Sequence, residues 1–352
     1  MRDERSPLRY LNLGWRVMFL WGAGVALLGL VAVFVNHVLS PQILLYTAAD
    51  ERFTGLSWSD IQQTGSRLPL WLTLFYDITA LMMVFYGVLT AVVSATAYRR
   101  GERWAWFSLL LAFLASSSYL VATAVPFLSL GLLGISGISI GVPGILVILA
   151  FLVFGLVLPG LEMRRTPSVL SSTAMKGGWK LSFGWIVLAI LFGAFLNIVF
   201  AIAVPLTDHV SLPGAPLTYM ASDAEFSGVP WDRIVSSSPA LSVWIVLQMD
   251  NMCARMMGAG ILATAVAVKG FRRSERWAYH GLLAATAIWW GGFYLISIPP
   301  SQAGITGAGA ISLGTPSGPF ALFLLFPLLN ILAFVLPYRR FRSRSGERAA
   351  GK

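Results

Sequence analysis

The chain has 352 residues, of which 57% are hydrophobic and only 11% charged, and its mean hydropathy is +0.75. Soluble domains carry roughly a quarter charged residues, so this composition excludes a water-soluble fold. The formal charge of +10 does not point to nucleic acid, because the basic residues stand beside the apolar stretches that they flank.

The N-terminal flank holds Arg2, Arg5, Arg9 and Arg16 and leads into an apolar run that ends near Val35. That run is longer than the core of a signal peptide, so it is read as an uncleaved first helix. A spanning helix needs about 20 apolar residues, and eight stretches meet that length. They lie at about 16–37, 69–98, 104–126, 143–161, 182–205, 240–268, 277–298 and 319–338. Lys and Arg concentrate in alternate connections, at 1–16, 99–103, 163–180, 269–276 and 339–352, whereas the other connections hold only Arg52, Arg67 and Arg233. This asymmetry predicts cytoplasmic N- and C-termini.

The two halves repeat at an offset of about 173 residues. Tyr46, Asp50, Gly55, Trp58 and Ile61 fall on Tyr219, Asp223, Gly228, Trp231 and Ile234, and Asp77 falls on Asp250. Arg99, Arg100, Glu102, Arg103 and Trp104 fall on Arg272, Arg273, Glu275, Arg276 and Trp277. The expected architecture is an all-α integral membrane protein of eight transmembrane helices, built as two tandem parallel four-helix repeats. The first repeat covers 1–165 and a cytoplasmic linker covers 166–180. The second repeat covers 181–342, and 343–352 form a basic tail. Each unit has an even number of spans, so the halves should be related by a pseudo-two-fold axis along the membrane normal.

The basic turn from Tyr98 to Trp106 and the outer-loop pattern Gly55 to Ile61 resemble those of uncharacterised prokaryotic four-helix membrane proteins, broadly DoxX-like, with the unit duplicated here. The resemblance implies a helical unit and no activity. The predominance of Arg over Lys suggests a prokaryotic cytoplasmic membrane.

Three ionisable residues lie inside the spans, Asp77, Asp250 and Arg255, and such groups are normally paired or functional. They form the candidate ligand or ion site. Both aspartates precede the basic turns by 22 residues, about 33 Å of helix, which places them toward the outer face; Arg255 is expected to reach outward to one of them. His37 and His209 end the first helix of each half and are the candidate metal ligands if they pair across the axis, although their spacing carries no metal signature. Arg99, Arg100, Arg103, Trp104, Arg272, Arg273, Arg276 and Trp277 are expected to anchor the cytoplasmic interface, facing anionic lipid headgroups. Outer connections at 126–142 and 298–318 hold no charge and are read as short interfacial segments, or as covers for a lipophilic cavity.

Cys253 stands alone, so neither an intramolecular disulfide nor a Cys-x-x-Cys redox pair can form. Hydrolase, protease, ATPase and rhodopsin motifs are absent, and no cofactor is expected. The leading expectation is a protein that binds or moves a small or lipophilic molecule near its outer face. The alternative is a scaffold or accessory subunit with a membrane-protein partner or a second copy of itself, using the small residues Gly22, Gly24, Gly258 and Gly260. A metal-dependent membrane enzyme is third.

Overall fold

The computed structural model describes residues 9–64, 66–129, 141–165, 178–211, 214, 216–305, 307, 309–311 and 321–342. All regular structure among them is helical. Six helices are long and apolar enough to cross a membrane, spanning Arg9–Leu39, Leu68–Tyr98, Gly144–Arg164, Trp179–Ser211, Pro239–Arg273 and Arg276–Gln302. The chain is thus an all-α protein with membrane-spanning character. Further helices run over Arg103–Ser129 and Ala321–Val335; residues 130–140 of the expected connection 126–142, residues 306, 308 and 312–318 of the connection 298–318, residues 166–177 of the linker 166–180 and the tail 343–352 lie outside the described residues.

The principal elements are α1 (Arg9–Phe34), α2 (Ala48–Thr54), α3 (Trp58–Gln62), α4 (Leu68–Val93), α5 (Arg103–Ser129), α6 (Gly141–Leu152), α7 (Leu158–Arg165), α8 (Trp179–Ile190), α9 (Val204–Ser211), α10 (Ala221–Ser227), α11 (Trp231–Ser237), α12 (Pro239–Lys269), α13 (Arg276–Ile296), α14 (Ile298–Gln302) and α15 (Ala321–Val335). Their ends are set by local chemistry. Pro239 occupies the first turn of α12, where its missing N–H costs nothing, and Ser238 Oγ accepts from Leu241 N at 3.1 Å.

The helices with buried interiors are α4 and α12. The most apolar window of their spans is 72% and 67% buried, against 22–28% for the spans that begin at Arg9, Gly144 and Trp179. The two therefore form the centre. α1 packs on α4, while α8 and the π-helical stretch Leu191–Ala203 pack on α12. The third long helix of each half crosses over: α5 packs mainly on α12, and α13 mainly on α4. Each half thus completes the other.

Close backbone approach at α1 and α4 needs glycine. A Cβ on Gly22 would stand 2.6 Å from Ala91 N, and one on Gly87 would stand 2.5 Å from Ala26 N. A Cβ on Gly258 would meet Ala112 O at 3.0 Å, and one on Gly260 would meet the Asn197 side chain. Three of the four small residues read as a surface for a partner are therefore spent on packing within the chain, and only Gly24 has nothing near it.

Candidate functional site

At one end of the bundle the two basic turns meet. Arg100 Nη2 lies 2.7 Å from Glu275 Oε2, Arg273 Nη1 lies 3.8 Å from Glu102 Oε2, and the Trp104 and Trp277 rings stack at 6.3 Å. Each remaining arginine matches its counterpart in task. Arg99 lies over Trp15 and Arg272 over Trp185, both at 5.0 Å. Arg103 donates to Met163 O and Arg276 to Phe341 O, near the ends of the last helix of each half. The boxes read as lipid anchors latch the halves together and to their own helices. Gly101 and Ser274 occupy the same place in the two turns, both with positive φ, at 74° and 58°.

The opposite end carries a second exchange. Trp244 Nε1 donates to Asp50 Oδ1 at 2.9 Å, and Trp71 Nε1 donates to Asp223 Oδ1 at 2.8 Å. The carboxylates, 0% and 1% exposed, also accept from Thr47 N and Met220 N within their own turns, and Asp223 takes Ala310 N at 2.9 Å as well. Burial pushes the Asp223 carboxyl up to about 6, against the pull of the bonds from Trp71, Ala310 and Met220. Tyr46 hydroxyl bonds Thr54 and Leu56 O, and Tyr219 hydroxyl bonds Ser227 and Val229 O. Where the turns of this end meet, a cleft of about 610 Å³ is lined by Ile61 and Ile234 among others, with exposed Asp60, Arg67, Glu225 and Arg233 around it. Its formal charges balance.

Of the residues singled out for chemistry, Asp77 and Asp250 each meet a histidine of their own half. His37 Nε2 lies 2.5 Å from Asp77 Oδ2, and His209 Nε2 lies 2.8 Å from Asp250 Oδ2. The aspartates are the covered partners, with side chains 3% and 17% exposed, while the imidazoles are 43% and 53% exposed. Among the described residues no group of three or more His, Cys, Asp or Glu side chains is placed to hold a metal ion. Arg255 extends to the neighbouring half, where Nη1 donates to Ser116 Oγ on α5 at 2.7 Å. It lies 16 residues into α12, about 24 Å from the start of that helix, so its anchor is at mid-depth.

The largest departure from the sequence reading is a cavity of about 210 Å³ in the second half. It lies among the π-helical stretch (Leu191, Phe192, Phe195, Phe200), α12 (Met249, Met252, Met256), α13 (Trp289, Trp290, Phe293) and α15 (Phe326, Asn330), with Ile78 of α4 on one side. Leu217, Met220, Gly309 and Ala310 also line it, so two residues of the uncharged segment 298–318 stand in its wall. Among the described residues the lining carries no ionisable side chain. Its counterparts at the 173-residue offset differ in kind: Trp289 and Trp290 correspond to Ser116 and Ser117, Met252 to Thr79, and Ile78 to Asn251. At these four positions the matching place is the more polar one, whereas Asn330 has Val157 as its counterpart. Aromatic and Met residues scattered at helical spacing look like ordinary core in sequence, which is why the cavity was not legible there.

No family model, curated protein or solved structure matches this chain.

Proposed function

We propose that this protein is an eight-span membrane protein made of two parallel four-helix units, with both termini cytoplasmic, and that its second unit binds a lipophilic molecule in the outer half of the bilayer. The duplication is supported by matched contacts at matched positions: Asp50 with Trp244 and Asp223 with Trp71, His37 with Asp77 and His209 with Asp250, Arg99 over Trp15 and Arg272 over Trp185. A pseudo-two-fold axis between α4 and α12 relates each pair. The DoxX-like resemblance of the unit fits this arrangement, and a prokaryotic cytoplasmic membrane is the proposed location.

The binding reading rests on the cavity of about 210 Å³. An apolar cavity of roughly 150 Å³ stays dry and takes up a small hydrocarbon guest, so this larger one favours an apolar occupant over water. Three methionines, Met249, Met252 and Met256, give it an adaptable wall. At the matching place Ser116, Ser117, Thr79 and Asn251 stand where the cavity has Trp289, Trp290, Met252 and Ile78, so it is the less favourable place for the same guest.

The experiment is binding of a fluorescent hydrophobic probe to the purified protein in lipid nanodiscs, for the wild type and for Met252→Trp, which fills the cavity. Saturable binding lost in Met252→Trp supports the reading. Equal binding by a Met252→Trp protein that is still folded overturns it.

A further inference from the structure

Three side chains in the cavity wall carry a nitrogen or oxygen, Trp289, Trp290 and Asn330, and the last two hold a buried polar atom with no hydrogen-bond partner. Asn330 is 4% exposed, and its Nδ2 donates to Phe326 O at 2.9 Å while Oδ1 has no partner. The carbonyl of Phe326 can only accept, so the amide nitrogen must face it and the oxygen is the atom left over. Trp290 Nε1, across the cavity wall on α13, is likewise buried and without a partner. Buried polar groups are nearly always satisfied, and leaving one unmade in an apolar setting is costly. Here one donor and one acceptor go unmet on residues that line the cavity.

Resting on the proposed binding of a lipophile, we infer that the occupant is a neutral lipophilic alcohol or phenol whose hydroxyl accepts from Trp290 Nε1 and donates to Asn330 Oδ1. With Nδ2 kept on Phe326 O, the Asn330 oxygen still has both lone pairs for the guest. A hydroxyl answers both needs with one group, since it both donates and accepts. A ketone or ester would answer only Trp290, and a hydrocarbon would answer neither. A carboxylate is excluded by charge, because no cation lines the cavity to offset its desolvation. The body of the guest would pack against Met252, Met256, Phe293 and Trp289.

The test is competition against a bound fluorescent lipophile in nanodiscs, using four probes of equal length, 1-decanol, 2-decanone, decane and decanoate. The inference expects 1-decanol to compete about thirtyfold better than decane, the size of two satisfied hydrogen bonds, with 2-decanone about fivefold better than decane and decanoate weakest. Asn330→Leu should remove the preference of alcohol over ketone, and Trp290→Phe should remove the preference of ketone over decane. In both variants decane should compete as before, which reports that the cavity is intact. If decane and 1-decanol compete equally in the wild type, the hydroxyl inference is overturned while the lipophile reading stands. If none of the four competes, the lipophile reading itself fails.

Discussion

Replacing Asp223 by Ala tests whether the crossed Asp–Trp contacts hold the two halves together. The substitution strands at least three donors, Trp71 Nε1, Met220 N and Ala310 N. At about 1–2 kcal/mol for each buried donor left unmet, the loss is roughly 3–6 kcal/mol. The pH dependence is a second signature. The Asp223 pKa is pushed up to about 6 in the fold, above roughly 3.9 for an unfolded chain. Between those values the folded protein holds the extra proton, so stability is greatest at the acid end and falls as pH rises from about 4 to 6, by about 3 kcal/mol at 1.36 kcal/mol per unit. Asp223→Ala should lack that fall. Reversible unfolding by graded SDS in mixed micelles, followed by circular dichroism from pH 4 to 7, measures both effects. A loss under 1 kcal/mol with an unchanged pH slope would refute the reasoning. Trp71→Phe in the Asp223→Ala background should then cost only packing, since its hydrogen bond is already gone.

Three further outcomes follow from the same geometry. Gly22→Leu should destabilise the α1–α4 contact by several kcal/mol, read in the same SDS titration, because the clash is with the Ala91 backbone, whereas Gly24→Leu, with nothing near it, should be close to neutral. Exchanging Arg100 and Glu275 should recover most of the stability lost by either reversal alone, with a coupling of about 1 kcal/mol or less, because the arginine side chain is 48% exposed. Cysteines placed at Ser59 and Ser236 should react with an impermeant thiol reagent outside intact cells, and those at Ser274 and Ser343 should not; labelling of Ser274 from outside would overturn the proposed topology.

The sequence carried more of the fold than of the site, for reasons visible in particular residues. Spanning helices announce themselves through unbroken apolar length, and the offset that aligned Asp50 with Asp223 marked the very carboxylates that make the crossed contacts. Their partners Trp71 and Trp244 sit at the same offset, so the pairing left a trace, but an indole inside an apolar span reads as core or as an interfacial belt until its Nε1 is seen to reach the other half. Asp77 and Asp250 were recognisable as costly intramembrane charges, and His37 and His209 as polar helix ends. That each imidazole meets the aspartate of its own half depends on how α1 packs on α4 and α9 near α12, which spacing along the chain does not encode. The cavity is the least legible feature, because Phe, Met and Trp at helical spacing fill a core or leave a gap in it with the same pattern. Its one sequence trace is the loss of symmetry at Ser116–Ser117 against Trp289–Trp290.

Photolabelling with a diazirine-bearing aliphatic alcohol, followed by peptide mapping, tests the central claim most directly. The account predicts that labels suppressed by excess 1-decanol fall on the cavity segments, around Met249–Met256 of α12, Trp289–Phe293 of α13 and Phe326–Asn330 of α15, and are absent around Ser116–Ser117 of α5. Labels spread evenly over the lipid-facing surfaces of α1 and α6, with no competed fraction in the second half, would contradict it.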